Sequence, residues 1–306
     1  MNTTEQQTRV FESLRSQLMG LAYRMLGSWS DSEDIVQEAW IRWVSANVAS
    51  VENEEPFLKT VVTRLCIDRI RKDKDRRENY TGQWLPDPVE HAEQYCPRNS
   101  ADYADDLSYA LMLALERLSA LERAAFLLHD VFDFSFSEVA AVLERNESAV
   151  RQLASRARKS VRESRPPKDR VCPKTHQKLL DAFVGTLKSG DVDSFSRLLR
   201  EDAVYIADSG GHHPAALRPI LGREKISRLF FSQSANMAGR DDSASWGQYI
   251  NVNGAQSILI FSGRSPSMLI SLSVEGERIV AIYMLSNPAK LAGLQADASN
   301  ALPENL

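Results

Sequence analysis

The chain has only three cysteines, Cys66, Cys96 and Cys172, odd in number, far apart and without a CxxC pair. That spacing argues against a disulfide scaffold and a cysteine-ligated zinc site, and it suits a reducing cytoplasm. No run of eighteen apolar residues occurs, so no membrane-crossing helix is expected. The first residues, Met1-Asn2-Thr3-Thr4-Glu5, lack the basic and apolar blocks of a secretory signal, so the expectation is a cytoplasmic protein without a membrane partner. No Ser/His/Asp order, metal-spaced cluster or phosphate-cradling loop stands out, and neither catalytic residues nor a metal or cofactor is expected. What is there is the ordinary make-up of a soluble globular protein, 43% hydrophobic and 25% charged. At 306 residues the length suits two or three domains.

The net charge of −4 offers nothing to a polyanion until it is resolved along the chain. From Met1 to Leu58 nine acids face four arginines; from Arg64 to Arg77 seven bases face three aspartates. Glu78 to Asp106 is acidic again, and Arg145 to Arg165 carries seven bases against Glu147 and Glu163. Two basic blocks in an acidic chain imply two separate contacts with a polyanion, and acidic surfaces for something else.

Phe11, Leu14, Leu18, Leu21 and Met25 recur at helical spacing, and Gly27 closes the pattern. Ser30 with Glu33 has capping-box spacing and predicts a second helix with Ile35, Val36, Ala39, Trp40, Trp43 and Val44 on its apolar face. A third helix is predicted after Pro56, lined by Phe57, Leu58, Val61, Val62, Leu65, Cys66 and Ile70, with the basic residues from Arg64 on its C-terminal half. The stretch 79–106 has no helical period, contains Gly82, Pro86, Pro88 and Pro97, and reads as a linker. Within it, Trp84-Leu85-Pro86-Asp87-Pro88-Val89 is too apolar for a solvated tether and is expected to dock, if only as local cover over a domain edge.

Leu107, Leu111, Leu115 and Leu118 form one stripe, and Ala124, Phe126, Leu127, Leu128 and Val131 another. Ser135 and Glu138 make a second capping box, Arg145-Asn146 a break, and Val150, Leu153, Ala154, Ala157 and Val161 the inner face of a basic helix. A short helix, a three-residue turn and a longer basic helix are the helix-turn-helix arrangement. Asn146 either takes the left-handed conformation in the turn or caps the second helix. Arg151, Gln152, Ser155, Arg156, Arg158 and Lys159 are left outside. Arginine can pair bidentately with guanine and glutamine with adenine, while the later bases suit phosphates. Arg64, Asp68, Arg69, Arg71 and Lys72 form the other basic site, near aromatic residues on which unpaired bases could stack. In both places a merely solvated helix face is the alternative.

After Pro166-Pro167 come helical stretches (175–188, 191–199, 223–231) and then alternating apolar runs at 203–207, 246–252, 257–262, 268–274 and 279–285. Helices first and strands later indicate an α+β domain with an antiparallel sheet. The residues from Gly293 on look frayed.

Several motifs in order carry a family resemblance. The run 21–27 (LAYRMLG) followed by 31–40 (DSEDIVQEAW) resembles region 2 of extracytoplasmic-function (ECF) sigma factors, and 130–140 with 149–158 resembles region 4. The resemblance implies that the helix bearing Asp34, Gln37, Glu38, Trp40 and Arg42 binds the RNA polymerase core at the beta-prime clamp, with the beta flap as a further contact. It implies that the 47–56 loop and Arg64–Lys72 open and read the −10 element of promoter DNA, and that Arg151–Lys159 read the −35 element. Trp84–Val89 resembles the WLPEP linker motif of those members, similar to the mycobacterial sigma J group, that carry a SnoaL-like C-terminal extension. Asp208-Ser209-Gly210-Gly211-His212 with 218–222 resembles that group's DGGGKV region, and Asn287-Pro288-Ala289-Lys290-Leu291 its NPDKL motif. Ser209 stands where a glycine is expected, His212-His213 where Lys-Val are, and Ala289 where Asp is.

The fold class expected is therefore multidomain: sigma region 2 as a helical bundle (8–78), the linker (79–106), sigma region 4 as a helix-turn-helix (107–165) and an α+β SnoaL-like cone (172–292). Trp84, Leu85, Pro86, Asp208, Gly210, Gly211, Asn287, Pro288, Lys290 and Leu291 would join the C-terminal domain to the linker and region 2 and so regulate the factor. Two rivals stand beside this reading. One is a SnoaL-like enzyme or ligand sensor fused to a DNA-binding module, with Asp202, Asp208, His212 and His213 as acid–base groups and an unidentified small ligand in the cone. The other is a helix-turn-helix repressor that never meets polymerase, against which Trp40 and Trp43 on an acidic helix argue. His176 and His213 are expected to be packing or surface residues.

Overall fold

The computed structural model describes residues 3–46, 51, 53–73, 79–96, 107–164, 171–237, 245–297 and 302. The chain divides into two compact units, Met1–Asn79 with His91–Arg165, and Tyr80–Glu90 with Pro166–Leu306. The 74–78, 97–106 and 47–50 segments and residue 52 lie outside the described residues, including half of the 47–56 loop expected to open the −10 element.

In the first unit, α1 (Thr3–Leu26) ends at Gly27, whose φ of +67° is the left-handed turn that glycine takes without a Cβ penalty. The chain re-enters a helix at once, so α2 (Trp29–Ser45) is capped by Ser28 and not by Ser30 as its spacing suggested. Glu33 instead accepts from the Trp29 indole at 3.2 Å. The helix α3 (Glu54–Lys72) also begins earlier than expected, capped by Asn53, with Pro56 inside the first turn where its missing N–H costs nothing. Leu18, Leu21, Met25, Ile35, Val36, Ala39, Trp43, Leu58, Val62 and Cys66 are all buried, but Val44 is 38% exposed, so the inner face of α2 is narrower than its sequence pattern. Gln7 and Trp43 brace α1 to α2 by exchanging two hydrogen bonds, of 2.9 and 3.0 Å.

The same unit continues with α4 (Tyr109–Glu116), α5 (Ala120–Phe126), a wide turn at Leu127–Val131, α6 (Phe136–Leu143) and α7 (Glu147–Ser164). Capping boxes open α5 (Ser119/Glu122) and α6 (Ser135/Glu138). Bonds from the Ser135 side chain and backbone hold the Glu138 carboxyl below its usual pKa. Ser135→Ala is expected to cost about 1 kcal/mol in urea denaturation. Because the folded pKa is depressed, the stabilisation linked to Glu138 should be complete above pH 4.5 and fade as the pH falls through the lowered value. An equally stable variant would show that the box is idle.

In the second unit, α8 (Pro173–Ser189) and α9 (Val192–Leu198) lead into β1 (Leu199–Asp208), β2 (Ile220–Leu221) and α10 (Arg223–Met237). Then follow β3 (Ser245–Val252), β4 (Ala255–Ser262), β5 (Ser265–Glu275), β6 (Arg278–Leu285) and α11 (Pro288–Leu291). The sheet runs β2-β1-β6-β5-β4-β3. It is mixed rather than wholly antiparallel, because β6 returns beside β1 in the same direction. The long segment between them supplies the crossover a parallel pair needs. Two strands also precede α10, so helices and strands do not segregate along the chain. Phe183, Phe195, Phe230 and Tyr205 pack ring against ring at 5.2–5.8 Å between the helices and the sheet, as an α+β cone requires. The tail is not frayed immediately after Gly293. Leu294 and Leu302 are buried, and the Gln248 amide bonds Gln295 O at 3.0 Å and Asp297 N at 2.7 Å.

Candidate functional site

Two left-over problems of helix ends build the helix-turn-helix. Glu144 takes the left-handed φ of +55° after α6, and the Asn146 carboxamide accepts from Ala149 N at 2.8 Å to cap α7. Of the two roles open to Asn146, capping is the one it plays. Val150, Ala154, Ala157 and Val161 of α7 are buried and Leu153 half-buried, while Arg151, Gln152, Ser155, Arg156 and Lys159 are exposed and Arg158 half-buried. Arg156 pairs with Glu122 at 2.9 Å and Arg158 with Asp130 at 2.7 Å, so both are tied to acids of their own unit. The Ser119 hydroxyl first, and Arg156 after it, hold the Glu122 carboxyl below the usual range. Arg151 pairs with Glu147 at 3.1 Å, and Lys159 lies 3.9 Å from Glu163. Gln152 and Ser155 stand between these bases on one exposed face. An array of fixed cations around two neutral hydrogen-bonding side chains can place phosphates and read a base edge at once.

On α2, Asp34, Gln37 and Arg42 are exposed and Glu38 and Trp40 half-buried. Gln37 and Trp40 line a shallow cleft of about 150 Å³ with Phe11, Glu12, Arg15 and Val36, and Arg42 pairs with Glu38 at 3.0 Å. Ile41, which no reading of the sequence singled out, is 59% exposed beside them. On α3 the basic residues do not form one cluster. Arg69 turns back to Asp31 at 3.0 Å and Asp34 at 3.7 Å, and Asp68 sits 3.7 Å from Arg71. Lys72 is exposed. Arg64 donates to Val142 O at 3.0 Å and Ala141 O at 3.2 Å, the last carbonyls of α6, and pairs with Glu144 at 3.2 Å.

In the second unit the Asp208 carboxylate is the centre of a closed network. Its side chain has no exposed surface. Oδ1 accepts from the Tyr80 hydroxyl at 2.6 Å and Gly210 N at 2.9 Å; Oδ2 accepts from Leu85 N at 2.9 Å and Lys290 Nζ at 2.8 Å. Lys290 also donates to Leu85 O, and its ammonium stands 4.4 Å from the Trp84 ring and 5.5 Å from that of Tyr80. The Asn287 amide donates to the Tyr80 hydroxyl at 2.9 Å while its oxygen caps α11. Gly210 lies so close to Asn287 that a Cβ would fall 2.5 Å from the amide nitrogen, and one on Gly211 would fall 3.2 Å from Thr81. Leu85, Pro86, Val89 and Leu291 are buried, Trp84 half-buried and Pro288 exposed. Farther along, Val89 and Asn253 exchange bonds at 2.8 and 3.0 Å. Burial and Asp208 push the Tyr80 phenol pKa above its usual value.

Residues 10–77 match the family Sigma-70 region 2, and residues 108–161 match Sigma-70, region 4. The ECF RNA polymerase sigma factor SigJ of Mycobacterium tuberculosis is 35% identical over 302 residues, which cover 96% of this chain and 96% of that protein. The chain belongs to the ECF sigma factors. A probable ECF RNA polymerase sigma factor of the same species, SigI, is 30% identical over 291 residues, covering 92% of this sigma factor and 94% of its relative. The crystal structure of SigJ from M. tuberculosis superposes with a TM-score of 0.72 at 33% identity, over 94% of this chain and 98% of that one.

The sigma factor's four sequence-expected clusters thus differ in how they assemble: the α2 set shares one helix, with Gln37 and Trp40 lining one cleft. The α7 face and the Asp208–Lys290–Asn287 group come together, whereas the α3 bases are dispersed among partners. Tyr80 and Thr81 on the linker side of this contact, and Asn253 on the domain side, are residues that sequence reasoning missed. Tyr80 was visible as an aromatic four residues before Trp84, but no periodic pattern linked it to Asp208. Asp202 is held by Arg200 through a 3.0 Å bond, and the exposed His212 and His213 contribute backbone atoms to the 209–213 turn. His176 is partly buried and bonds Leu272 O at 3.3 Å.

Proposed function

We propose that this sigma factor carries its own regulator: the C-terminal α+β domain, acting on the linker and region 2, sets the activity of the two promoter-reading regions. The carrying observation is that Asp208 and Lys290 are committed, with no exposed carboxylate oxygen, to backbone and side chains of residues 80–85. That segment stands in the sequence between the region 2 and region 4 matches. A domain that holds it limits the relative freedom of the two regions it joins. The two carboxylates offered for acid–base chemistry, Asp202 and Asp208, are already bonded within the chain, which supports a docking role over an enzymatic one. In the same reading α2 meets the beta-prime clamp through Asp34, Gln37, Glu38, Trp40 and Arg42, and region 4 meets the beta flap. Arg64, Asp68, Arg69, Arg71 and Lys72 address the −10 element, α7 addresses the −35 element, and the protein works in the cytoplasm.

Transcription in vitro with core polymerase is the test. Trp84→Ala, and separately deletion of residues 287–306, are expected to change promoter output severalfold. Unchanged output in both would remove the regulatory role and leave the sigma factor assignment standing.

A further inference from the structure

Arg151 is the fifth residue of α7, within the N-terminal part that meets base edges in a helix-turn-helix. Its guanidinium carbon lies 4.3 Å from the centroid of Phe136, the first residue of α6, and that of Arg158 lies 6.0 Å from the same ring. Phe136 is itself fixed. Its backbone follows the Ser135/Glu138 capping box, and its ring stacks on His129 at 3.8 Å and 27°. The His129 ring bonds Phe134 O at 2.7 Å through Nδ1. An aromatic ring is thus anchored to the first helix of the motif and presents itself to the reading helix.

Arg151 also pairs with Glu147, both side chains about half exposed. Such a pair is weak and screened by salt. Glu147 would also meet the phosphates and base acceptors with like charge as α7 enters a groove. A ring is a different kind of support. It engages the face of the guanidinium and leaves the N–H edge open, and that edge is what pairs with guanine O6 and N7. The support therefore survives the arrival of DNA, while the carboxylate's hold does not.

We infer that Phe136 is a positioning residue for promoter recognition: it holds Arg151 at the angle from which the guanidinium reads a −35 base pair. This rests on the proposed role of Arg151 in −35 reading. Among the described residues no ring braces the neighbouring exposed Gln152 and Ser155 in this way, so discrimination should concentrate at the base pair under Arg151.

The test uses the full chain bound to core polymerase and a library of promoter duplexes randomised through the −35 element, with base preferences read by sequencing the bound fraction. Wild-type protein should show a strong preference at one or two positions that Arg151→Ala erases. Phe136→Leu keeps the apolar volume but has no π face, and should weaken preference at those same positions by roughly five- to tenfold. Phe136→Tyr should restore it, and the salt dependence of binding should be the same in all three Phe136 forms. If Phe136→Leu reads the library as wild type does while Arg151→Ala does not, the inference falls. It also falls if Phe136→Tyr fails as badly as Phe136→Leu, since the ring would then have only a shape-specific packing role. If Arg151→Ala changes no position, the reading of Arg151 on which it rests is what fails.

Discussion

Asp208→Asn is expected to lower the stability of the C-terminal unit by about 3–5 kcal/mol, the cost of breaking a buried ion pair on one side. Four donors converge on this carboxylate, two on each oxygen. An amide offers one acceptor and adds a donor, so whichever way it turns, one pair of donors meets N–H instead of oxygen. Lys290, 10% exposed, would keep the Leu85 carbonyl and Asp87 at 4.0 Å but lose its close counter-ion. Lys290→Met should be comparably costly, because it leaves Asp208 charged and buried. The double variant should recover part of the loss, with a coupling of about 2 kcal/mol in the cycle. Urea denaturation followed by tryptophan emission reads this, since Trp84 and Trp246 both belong to this unit. A cost under about 1 kcal/mol for either single change would mean the network does not hold the linker. Tyr80 adds a pH signature. Its folded pKa is raised, so its contribution is complete below pH 10 and is lost as the pH rises through the folded value. Tyr80→Phe should remove that alkaline sensitivity.

The docked linker was legible in the sequence because it broke an expectation of composition. Trp84, Leu85 and Val89 are too apolar for a tether, and two of the three are buried. Its partners were legible only through resemblance: nothing in the spacing of Asp208 and Lys290, 82 residues apart, ties them together. Local chemistry carried the helix-turn-helix, since the Ser135 box and the Asn146 cap are decided within four residues. The same local rule misplaced the start of α2, because Ser28 and Ser30 both satisfy it and only the turn at Gly27 selects between them. The parallel β1–β6 pair escaped for another reason. Alternation reports which face of a strand is buried, not which way its neighbour runs. The dispersal of the α3 bases was equally hidden, since a charge run says nothing about the acids that neighbouring helices bring to it.

Arg123→Leu is expected to lower the stability of the helical unit by about 3–5 kcal/mol while raising the apparent affinity for promoter in complex with core polymerase. Arg123 on α5 is 3% exposed, pairs with Glu116 at 2.9 Å and donates to Met25 O near the end of α1, joining region 4 to region 2. Lys59 on α3 adds to the join with its ammonium 5.1 Å from the Phe132 ring and 5.8 Å from that of Phe134, and Arg64 bonds the end of α6. The −10 and −35 elements, by their positions, lie about 25 base pairs apart, or roughly 85 Å of duplex at ~3.4 Å per pair. An arginine proposed for the first element cannot reach it while bonded to the helix that precedes the −35 reader. The two regions must therefore separate on the promoter, and every contact that joins them in the free protein opposes binding. Weakening the join by about 1.4 kcal/mol should tighten apparent binding up to about tenfold. Lys59→Met keeps most of the apolar packing and should show the same pair of opposite signs at smaller amplitude. Equal losses of stability and of affinity in both variants would mean that the regions bind DNA without parting, and that the α3–α6 contact belongs to the active form.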